Sequence, residues 1–497
     1  MNLISHWIDN KLYDGVADRR GKVFNPATGL VSAEVALAGA EDVDLGVASA
    51  AAAFPEWRDA PVTLRARILF EFRDLVHRHV NDLAKLLTAE HGKTLDDARG
   101  EVARGLEVIE FATGIPHLLK GEFSEQVSRG VDTYTIRQPL GVVAGITPFN
   151  FPAMVPMWMY PIAIAAGNTF VLKPSEKDPS ASMLSAELFA KAGLPPGVLN
   201  IVHGDKVAVD RLLTHPDVKA VSFVGSTPVA QYVYSTGTAN GKRVQALAGA
   251  KNHMVVLPDA DMDLAADAAV SAAYGSAGER CMAISVVVAV GGAGDRLIPL
   301  ITERMEKLAI APGDSPGAEM GPLITGDHRD RVAGYVHTGV EEGATLVADG
   351  RGVSPDGFED GFWMGATLFD NVTRDMKIYQ DEIFGPVLSV VRTDSYQDAI
   401  QMINDSRWGN GTAVFTNDGG AARRFQNEVE VGMVGINLPI PVPLAFYSFG
   451  GWKESSFGDH DIYGPDGISF YTRQKVVISR WPDPIHRGVD LGFPTNR

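Results

Sequence analysis

The fold is decided by a stretch that begins at residues 141–150, GVVAGITPFN. Three more short apolar runs follow, each ending in a turn, at residues 169–177 (TFVLKPSEK), 199–204 (LNIVHG) and 220–226 (AVSFVGS). Helical patterns separate these runs. Repeated strand and helix units, with strands too apolar to face water on either side, are typical of a doubly wound parallel sheet. The sequence therefore predicts an α/β protein.

Polar residues stand where these predicted strands end. Sheets of this kind bind ligands beyond the carboxyl ends of their strands, and Thr147, Lys173 and Ser226 fall there. No G-x-G-x-x-G fingerprint is present. Gly225 and Ser226 still offer backbone N–H groups to a phosphate at a helix start, and Glu176 could accept from a ribose diol. Ordinary turn chemistry would explain each turn alone, but their joint placement favours a dinucleotide site.

The only cysteine of the chain lies in residues 275–285, GSAGERCMAIS. A free thiol has a pKa of about 8.5 and becomes a strong nucleophile when it ionises. Arg280 directly precedes Cys281, and the glycines allow backbone N–H groups to approach a reacting atom. The alternative is a small, inert buried side chain, as most lone cysteines are. The stretch alone leaves both interpretations open.

Size and charge narrow the class of protein. A chain of 497 residues predicts two or more domains, and its net charge of −17 disfavours nucleic acid and anionic membranes as partners. We find no apolar run long enough to cross a bilayer and no targeting pattern at the start. One cysteine suits a reducing compartment, so we expect a cytoplasmic protein. His77 and His79 point to different helix faces, and no metal site is expected.

The remainder of the chain reads as a second α/β region and a tail. Strands are predicted at residues 254–257 and 285–290, and residues 467–481 alternate like an exposed edge strand of the kind that pairs with another subunit. Arg104 shares a predicted helix face with Val108 and Phe111. On the pattern alone, an exposed ion pair between Arg104 and Glu107 is the better interpretation.

Five motifs occur in one order across the chain: TPFNFP at 147–152, KPSE at 173–176, FVGST at 223–227, GERC at 278–281 and EIFGP at 382–386. In that order they resemble the aldehyde dehydrogenase superfamily. Further stretches resemble its CoA-acylating methylmalonate-semialdehyde dehydrogenases: RCMA at 280–283, LAGAKNH at 247–253, SFGGWK at 448–453 and FYT at 470–472.

The resemblance implies a three-part architecture. A Rossmann-type NAD-binding domain would comprise residues 1–122 and 143–247, and an α/β catalytic domain residues 248–450. A small β oligomerisation arm would comprise residues 123–142 and 467–497. By the same analogy, the protein would be a homodimer or a homotetramer.

The resemblance also assigns roles to individual residues. Cys281 would attack the aldehyde carbon, while the Asn150 side-chain amide and the Cys281 N–H would hold the developing oxyanion. Hydride transfer to NAD would leave a thioester on Cys281. The carboxylate of Glu176 suits a free ribose 2′-hydroxyl, so NAD is expected rather than NADP. The residues expected to bind the cofactor are Thr147, Phe149, Lys173, Glu176, Lys177, Gly225, Ser226, Ala248, Glu382 and Phe384.

Leu247 is the most informative position. Hydrolytic members of the superfamily carry a glutamate there that activates water, and leucine cannot accept a proton. Coenzyme A would then be the co-substrate that releases the acyl group. In the resembling subfamily, the substrate carboxylate is held by residues that match Arg104 and Arg280 here. Arg280 is also close enough to favour the Cys281 thiolate. Glu279 departs from the usual glutamine, and an ionised carboxylate there would raise the thiol pKa unless Arg280 or solvent offsets it.

Three hypotheses follow. The first is NAD- and CoA-dependent oxidation of methylmalonate or malonate semialdehyde to propionyl-CoA or acetyl-CoA, with release of CO2. The second is a hydrolytic aldehyde dehydrogenase that releases a free acid, against which Leu247 argues. The third is a catalytically silent NAD-binding protein, against which Cys281 and Asn150 argue.

Overall fold

An eight-stranded sheet dominates the first half of the computed structural model, which describes residues 2–481. In spatial order its strands are Ser456–Phe457, Arg243–Leu247, Val218–Val224, Val142–Ile146, Thr169–Lys173, Leu199–Ile201, His6–Ile8 and Lys11–Tyr13. The five central strands are parallel, and the strands at both edges run antiparallel. The four strands predicted between residues 142 and 224 are therefore present, and they are neighbours.

Helices cover both faces of this sheet. Val143 joins one buried apolar cluster, while Val142 and Ala144 join another, because successive side chains of a strand point to opposite faces. Burial on both faces explains why the strands are apolar throughout. The helices that accompany the sheet are Ala40–Asp59, Val62–Arg78, Val80–His91, Leu95–Thr113, Ile115–Leu118, Met154–Ala165, Ser180–Lys191, Lys206–Thr214, Thr227–Ala239 and Gly464–Phe470.

A seven-stranded sheet forms the second region. Its strands, in spatial order, are Thr345–Ala348, Thr367–Asp370, Val387–Thr393, Ile284–Val290, Asn252–Val256, Gly411–Phe415 and Met433–Ile436. Only the first of them is antiparallel to its neighbour. The accompanying helices are Met262–Tyr274, Ala293–Met305, Gly326–Glu341, Lys377–Gln380, Tyr396–Asp405 and Gly419–Glu428, with a 3₁₀ turn at Gly275–Gly278.

A three-stranded arm extends from these two sheets. Thr472–Arg480 pairs antiparallel with Val131–Pro139 over nine residue pairs, and Phe123–Ser128 lies on the other side. Val476 and Ile478 are exposed, as expected for an edge strand. Two smaller sheets complete the strands: Asn2–Ile4 with Leu30–Ala36 and Arg20–Asn25, and Trp408–Gly409 with Trp452–Lys453.

The predicted tail strand is wrong in its first part. Gly464–Phe470 is a helix, and Ile468 and Phe470 are buried in the main core next to helix Met154–Ala165. Their two-residue spacing imitates strand alternation, but the buried residues of this segment, Gly464, Gly467, Ile468 and Phe470, recur at the three- and four-residue spacing of a helix face. Residues 482–497, which the sequence assigned to the arm, lie outside the described residues. Ser456–Phe457, outside every predicted domain, completes the eight-stranded sheet.

Within residues 2–481, no helix has both the length and the apolar character that crossing a bilayer requires.

Candidate active site

The site lies where the order of strands reverses. Val142–Ile146 is flanked by Thr169–Lys173, the next strand in sequence, and by Val218–Val224, which comes much later. The loops after Val142–Ile146 and Val218–Val224 diverge, which opens a crevice at the carboxyl edge of the sheet. A cavity of about 450 Å³ occupies this crevice and reaches Cys281. We call it the strand-end cavity. Seven predicted cofactor residues line it: Phe149, Lys177, Gly225, Ser226, Ala248, Glu382 and Phe384.

A second cavity, of about 460 Å³, approaches Cys281 from another direction. Its wall includes Arg104 and Arg280, and we call it the arginine cavity. The remaining wall is mostly apolar, with Phe151, Met154, Trp158, Ile440 and Val442, and it also includes the carboxylates Asp97 and Glu101. Cys281 lines both cavities, so one thiol faces two separate entrances. A larger open cavity of about 650 Å³ includes Arg280 but neither Cys281 nor Asn150 in its wall, so it does not reach the reacting centre.

The backbone of Cys281 is held from the seven-stranded sheet. The side-chain amides of Asn252 and Asn410 donate hydrogen bonds to the Cys281 carbonyl at 2.9 and 3.1 Å. The preceding turn requires Gly278, whose φ is +73° and whose missing Cβ would lie 2.3 Å from the Gly385 carbonyl oxygen. Cys281 is therefore placed at the junction of the cavities by a tight turn and two amides.

The thiol is not ionised by its surroundings. Burial raises the pKa of Cys281 to about 12, the Glu382 carboxylate adds to the increase, and Arg280 lowers it only in part. The expectation that Arg280 favours the thiolate is therefore correct in sign but is outweighed. The guanidinium of Arg280 is engaged by Asp97. The side chains around Cys281 therefore do not by themselves favour the thiolate.

Glu279 does not act on the thiol as the sequence suggested. Its side chain is fully buried and accepts a hydrogen bond from the Ile324 N–H at 3.2 Å. Its oxygens lie 3.4 Å from His328 Nε2 and 3.6 Å from His91 Nε2. Burial raises the pKa of Glu279 to about 8. The carboxylate that raises the thiol pKa is Glu382, because Glu279 is turned into this histidine cluster.

Replacing Glu382 with glutamine should make the Cys281 thiol more reactive. Removing a negative charge favours the thiolate, so the pKa falls, while burial still keeps it above the ordinary value. Alkylation by iodoacetamide at fixed pH, without cofactor, should become several-fold faster, because the reacting species is the thiolate.

Glu279→Gln is the matched control for that experiment. It also neutralises a buried carboxylate and lies two residues from Cys281, yet it should leave the pH profile of alkylation unchanged. A larger effect of Glu279→Gln than of Glu382→Gln would contradict this assignment.

Three further residues expected to bind the cofactor, Thr147, Lys173 and Glu176, are outside the lining of the strand-end cavity. Lys173 Nζ is 3.1 Å from Glu176, and the Thr147 N–H donates to the Lys173 carbonyl at 3.1 Å. Burial opposes ionisation of Glu176, but the Lys173 ammonium holds its pKa below the usual range. The Thr147 hydroxyl is buried and has no hydrogen-bond partner within residues 2–481. A hydroxyl left unpaired, a carboxylate and a lysine together suit the polar groups of a dinucleotide.

Ser226 caps helix Thr227–Ala239 without using its side chain, so the hydroxyl and the first N–H groups remain available to a phosphate. On the opposite wall, Glu382 accepts from the Ala250 N–H at 2.9 Å. Lys251 holds the loop before Glu382 through the carbonyls of Ile378 and Asp381, each at 2.7 Å. These contacts fit a cofactor that spans the cavity from a helix start to Glu382.

Two aromatic rings face each other at the inner part of this cavity. Phe149 and Phe384 meet edge to face with centroids 5.8 Å apart, and Lys177 Nζ lies 4.7 Å from the centre of the Phe149 ring. Phe384 has a φ of +61°, which a bulky residue adopts only when its surroundings enforce it. His328 Nε2 donates to the Phe384 carbonyl at 2.7 Å and fixes that backbone.

Both predicted carboxylate-binding arginines already face carboxylates. Arg104 pairs with Glu107 at 2.8 Å, as the helix pattern suggested, and also donates to the Val442 carbonyl at 3.0 Å. Arg280 pairs with Asp97. Both guanidinium groups nevertheless line the arginine cavity. An anionic substrate would therefore share these cations with Glu107 and Asp97.

Leu247 ends strand Arg243–Leu247 and pairs with Val224. It is 3% exposed and packs in the main core. Val224 and Ala248 on either side line the strand-end cavity, whereas Leu247 itself does not. Position 247, next to the wall of the strand-end cavity, thus has a hydrocarbon side chain with no group that can accept a proton.

Sequence reasoning missed several residues of the site. His328 and Arg331 line the strand-end cavity, and Asn252 and Asn410 hold Cys281. Asn252 lies in the quoted LAGAKNH stretch, but nothing in its spacing signals a contact with residue 281. His328 stands alone on an ordinary helix and gives no signal. Within residues 2–481, no group of three or more potential metal ligands occurs.

The aldehyde dehydrogenase family model matches residues 14–477, and the chain belongs to this family. Two relatives are similar along the whole chain. A malonate-semialdehyde dehydrogenase from Pseudomonas aeruginosa is 55% identical and covers 100% of both chains. One from Oceanobacillus iheyensis is 50% identical over 96% of this chain and 98% of its own.

Solved structures agree with the fold. A methylmalonate-semialdehyde dehydrogenase from Oceanimonas doudoroffii has a TM-score of 0.96 and 53% identity over 97% of this chain and 99% of its own. A Sinorhizobium meliloti protein described as the same type of enzyme, in complex with NAD, has a TM-score of 0.97 and 54% identity, over 98% of this chain and 99% of its own. These findings confirm the predicted α/β fold of the aldehyde dehydrogenase type.

Proposed function

We propose that this chain oxidises malonate semialdehyde or methylmalonate semialdehyde with NAD and coenzyme A, and releases acetyl-CoA or propionyl-CoA and CO2. The observation that carries the proposal is the pair of cavities meeting at Cys281, one with dinucleotide-binding groups and one with Arg104 and Arg280. The relatives named above, which are semialdehyde dehydrogenases, support it. The Glu176 carboxylate supports NAD over NADP.

In the first stage, Cys281 acts as the nucleophile. Its sulfur forms a bond to the aldehyde carbon, and the oxygen gains negative charge, which the Asn150 amide and the Cys281 N–H stabilise. NAD, held by residues of the strand-end cavity, would supply the hydride acceptor for that carbon. The proton of the thiol leaves to solvent, and a thioester remains on Cys281. Because burial raises the thiol pKa to about 12, the positive charge of a bound nicotinamide would favour the thiolate.

In the second stage, the residues around the thioester determine its fate. Leu247 offers no base to activate water, which supports a thiol as the acceptor. The coenzyme A thiolate attacks the carbonyl carbon, and Cys281 leaves as the thiolate. The β-carboxylate is lost as CO2 with its C–C bond electrons left on the α-carbon, which then takes a proton. The thioester carbonyl can delocalise those electrons.

The arginine cavity supports an anionic substrate. Moving a carboxylate into its apolar wall without a partner would be costly, and Arg104 and Arg280 compensate this cost. Both arginines already have carboxylate partners, and Asp97 and Glu101 also line the cavity, so a substrate carboxylate would compete with these groups for the two guanidinium groups. We also propose that the arm joins copies of the chain, supported by the exposed Phe123, Val476 and Ile478.

The test is a product balance with malonate semialdehyde labelled in its carboxylate. With NAD and coenzyme A, we expect one NADH, one acetyl-CoA and one labelled CO2 per substrate. Without coenzyme A, NADH formation should stop after about one NADH has formed per Cys281 thiol. Equal sustained NADH formation without coenzyme A would favour the hydrolytic alternative. Absence of NADH formation from any aldehyde would favour the catalytically silent NAD-binding protein. A Cys281→Ser variant measures the NADH formation that does not depend on the thiol, with and without coenzyme A.

A further inference from the structure

A buried ion pair borders the site: Glu101, one of its members, belongs to the wall of the arginine cavity, and neither member has a role in the chemistry above. Lys93 follows helix Val80–His91, and Glu101 lies in helix Leu95–Thr113. Both side chains are 0% exposed, and Lys93 Nζ is 2.6 Å from Glu101 Oε2. Burying two charges is costly, and a well-packed apolar pair would often be as stable. Further hydrogen bonds of Lys93 and Glu101 to backbone groups offset part of this cost.

These bonds hold both ends of one short segment. Lys93 Nζ donates to the Asn150 carbonyl at 2.6 Å and lies 4.4 Å from the centre of the Phe151 ring. Glu101 Oε1 accepts from the N–H groups of Ala153 and Met154 at 2.8 and 3.1 Å. The segment from residue 150 to residue 154 connects the strand-end turn to helix Met154–Ala165. The ion pair thus fixes the start of the segment through its cation and the end through its anion.

The side chain of Asn150 depends on this support. Asn150 lines the strand-end cavity together with Cys281 and is 3% exposed. Its amide makes no hydrogen bond to any group among residues 2–481, so it is free to face a substrate oxygen. With no side-chain partner to orient it, its position follows from the backbone, and the backbone carbonyl of Asn150 is the one that Lys93 holds.

We propose that Lys93 and Glu101 are a positioning pair that places the Asn150 amide for oxyanion stabilisation. The inference rests on the proposed role of Asn150. Oxyanion donors act at about 2.7–3.1 Å from the developing charge, and loss of one donor costs about 10²–10³ in rate. A displacement of about 1 Å costs about 10². If the Asn150 backbone is no longer held by Lys93, the side-chain amide should therefore lose part of its contribution to the rate.

The experiment measures the rate constant of the NADH burst in a single turnover with propanal, which isolates acylation. Lys93→Met keeps the length of the side chain and removes its charge, and we expect a burst that is about 10- to 100-fold slower. The dissociation constant of NAD and the apparent KM for aldehyde should change less than about threefold. Lys206→Met is the control, because its exposed pair with Asp210 has the same 2.6 Å separation.

A double-mutant cycle with Asn150→Ala separates positioning from general damage. If Lys93 acts through the amide, adding Lys93→Met to Asn150→Ala should slow the burst by less than about threefold further. The same fold-loss in both backgrounds would overturn the proposal, as would a wild-type burst in Lys93→Met. Should Lys93→Met fail to fold, Glu101→Gln, which retains the acceptor for Ala153 and Met154, replaces it in the same cycle. In that cycle, the proposal is supported if Glu101→Gln slows the burst less in the Asn150→Ala background than in the wild-type background. An equal slowing of the burst in both backgrounds overturns it.

Failure of the proposed function has a different signature. In that case Asn150→Ala would keep the wild-type burst, or the wild-type protein would give no burst at all. A slow Asn150→Ala together with a normal Lys93→Met would contradict the positioning pair alone.

Discussion

Replacing Leu247 with glutamate should give a protein that turns over aldehyde without coenzyme A at least about 100-fold faster than the wild type. A positioned general base contributes about 10²–10⁴-fold, and position 247 lies between two residues that line the cavity at Cys281. The measurement is steady-state NADH formation from propanal, with and without coenzyme A, together with the release of free propanoate.

The burial of position 247 adds a pH signature to that result. A carboxyl group at a site that is 3% exposed has a raised pKa, and it acts as a base only when ionised. The gained activity should therefore rise as the pH increases through that pKa. Leu247→Gln matches the shape and polarity without a base and should gain nothing. Rapid propanoate release by the wild type without coenzyme A would contradict the role given to Leu247.

Replacing Arg104 with alanine should lower kcat/KM for malonate semialdehyde by about 100-fold, mainly through a higher KM. A hydrogen bond to a charged group contributes about 1.5–3 kcal/mol, and 1.4 kcal/mol corresponds to a factor of ten. The variant also leaves Glu107 without its cation, so its charge would repel the substrate carboxylate. Propanal carries no carboxylate, and its kcat/KM should change less than about threefold.

Arg73→Ala is the matched control. The side chain of Arg73 is 33% exposed and that of Arg104 is 32% exposed. Arg73 lies 2.7 Å from Glu110, and Arg104 lies 2.8 Å from Glu107. Arg73, however, does not line the arginine cavity. Arg73→Ala should leave kcat/KM unchanged for both malonate semialdehyde and propanal. Equal losses for malonate semialdehyde and propanal in Arg104→Ala would remove Arg104 from the carboxylate site.

The sequence was sufficient for the parts of the fold that repeat. Strand runs such as residues 142–146 are apolar because both faces are buried, and the pattern is visible without coordinates. The strand ends then predict which turns meet at one edge of the sheet. For that reason Thr147, Lys173 and Ser226 were expected at one edge, and the family resemblance added Phe149, Lys177 and Ala248. Of these six residues, Ser226, Phe149, Lys177 and Ala248 line one cavity.

Contacts between distant segments were beyond the sequence. Asn410 holds Cys281 across 129 positions, and Glu101 holds Ala153 across 52. Neither contact leaves a local pattern. The tail failed for a related reason: Phe470 is drawn into the core by residues near position 160, which local alternation does not encode. The thiol pKa likewise depends on Glu382, far away in the chain.

The arm has a consequence for how the chain is made. Val131–Pro139 has its longest pairing with Thr472–Arg480, and 333 positions separate Pro139 from Thr472. At about 5–20 residues per second, a ribosome needs roughly 17 to 67 seconds to supply that partner. During this interval one edge of the earlier strand is open to other strands. Neighbouring nascent copies of the chain are thus exposed to mispairing until residues 472–480 have been made.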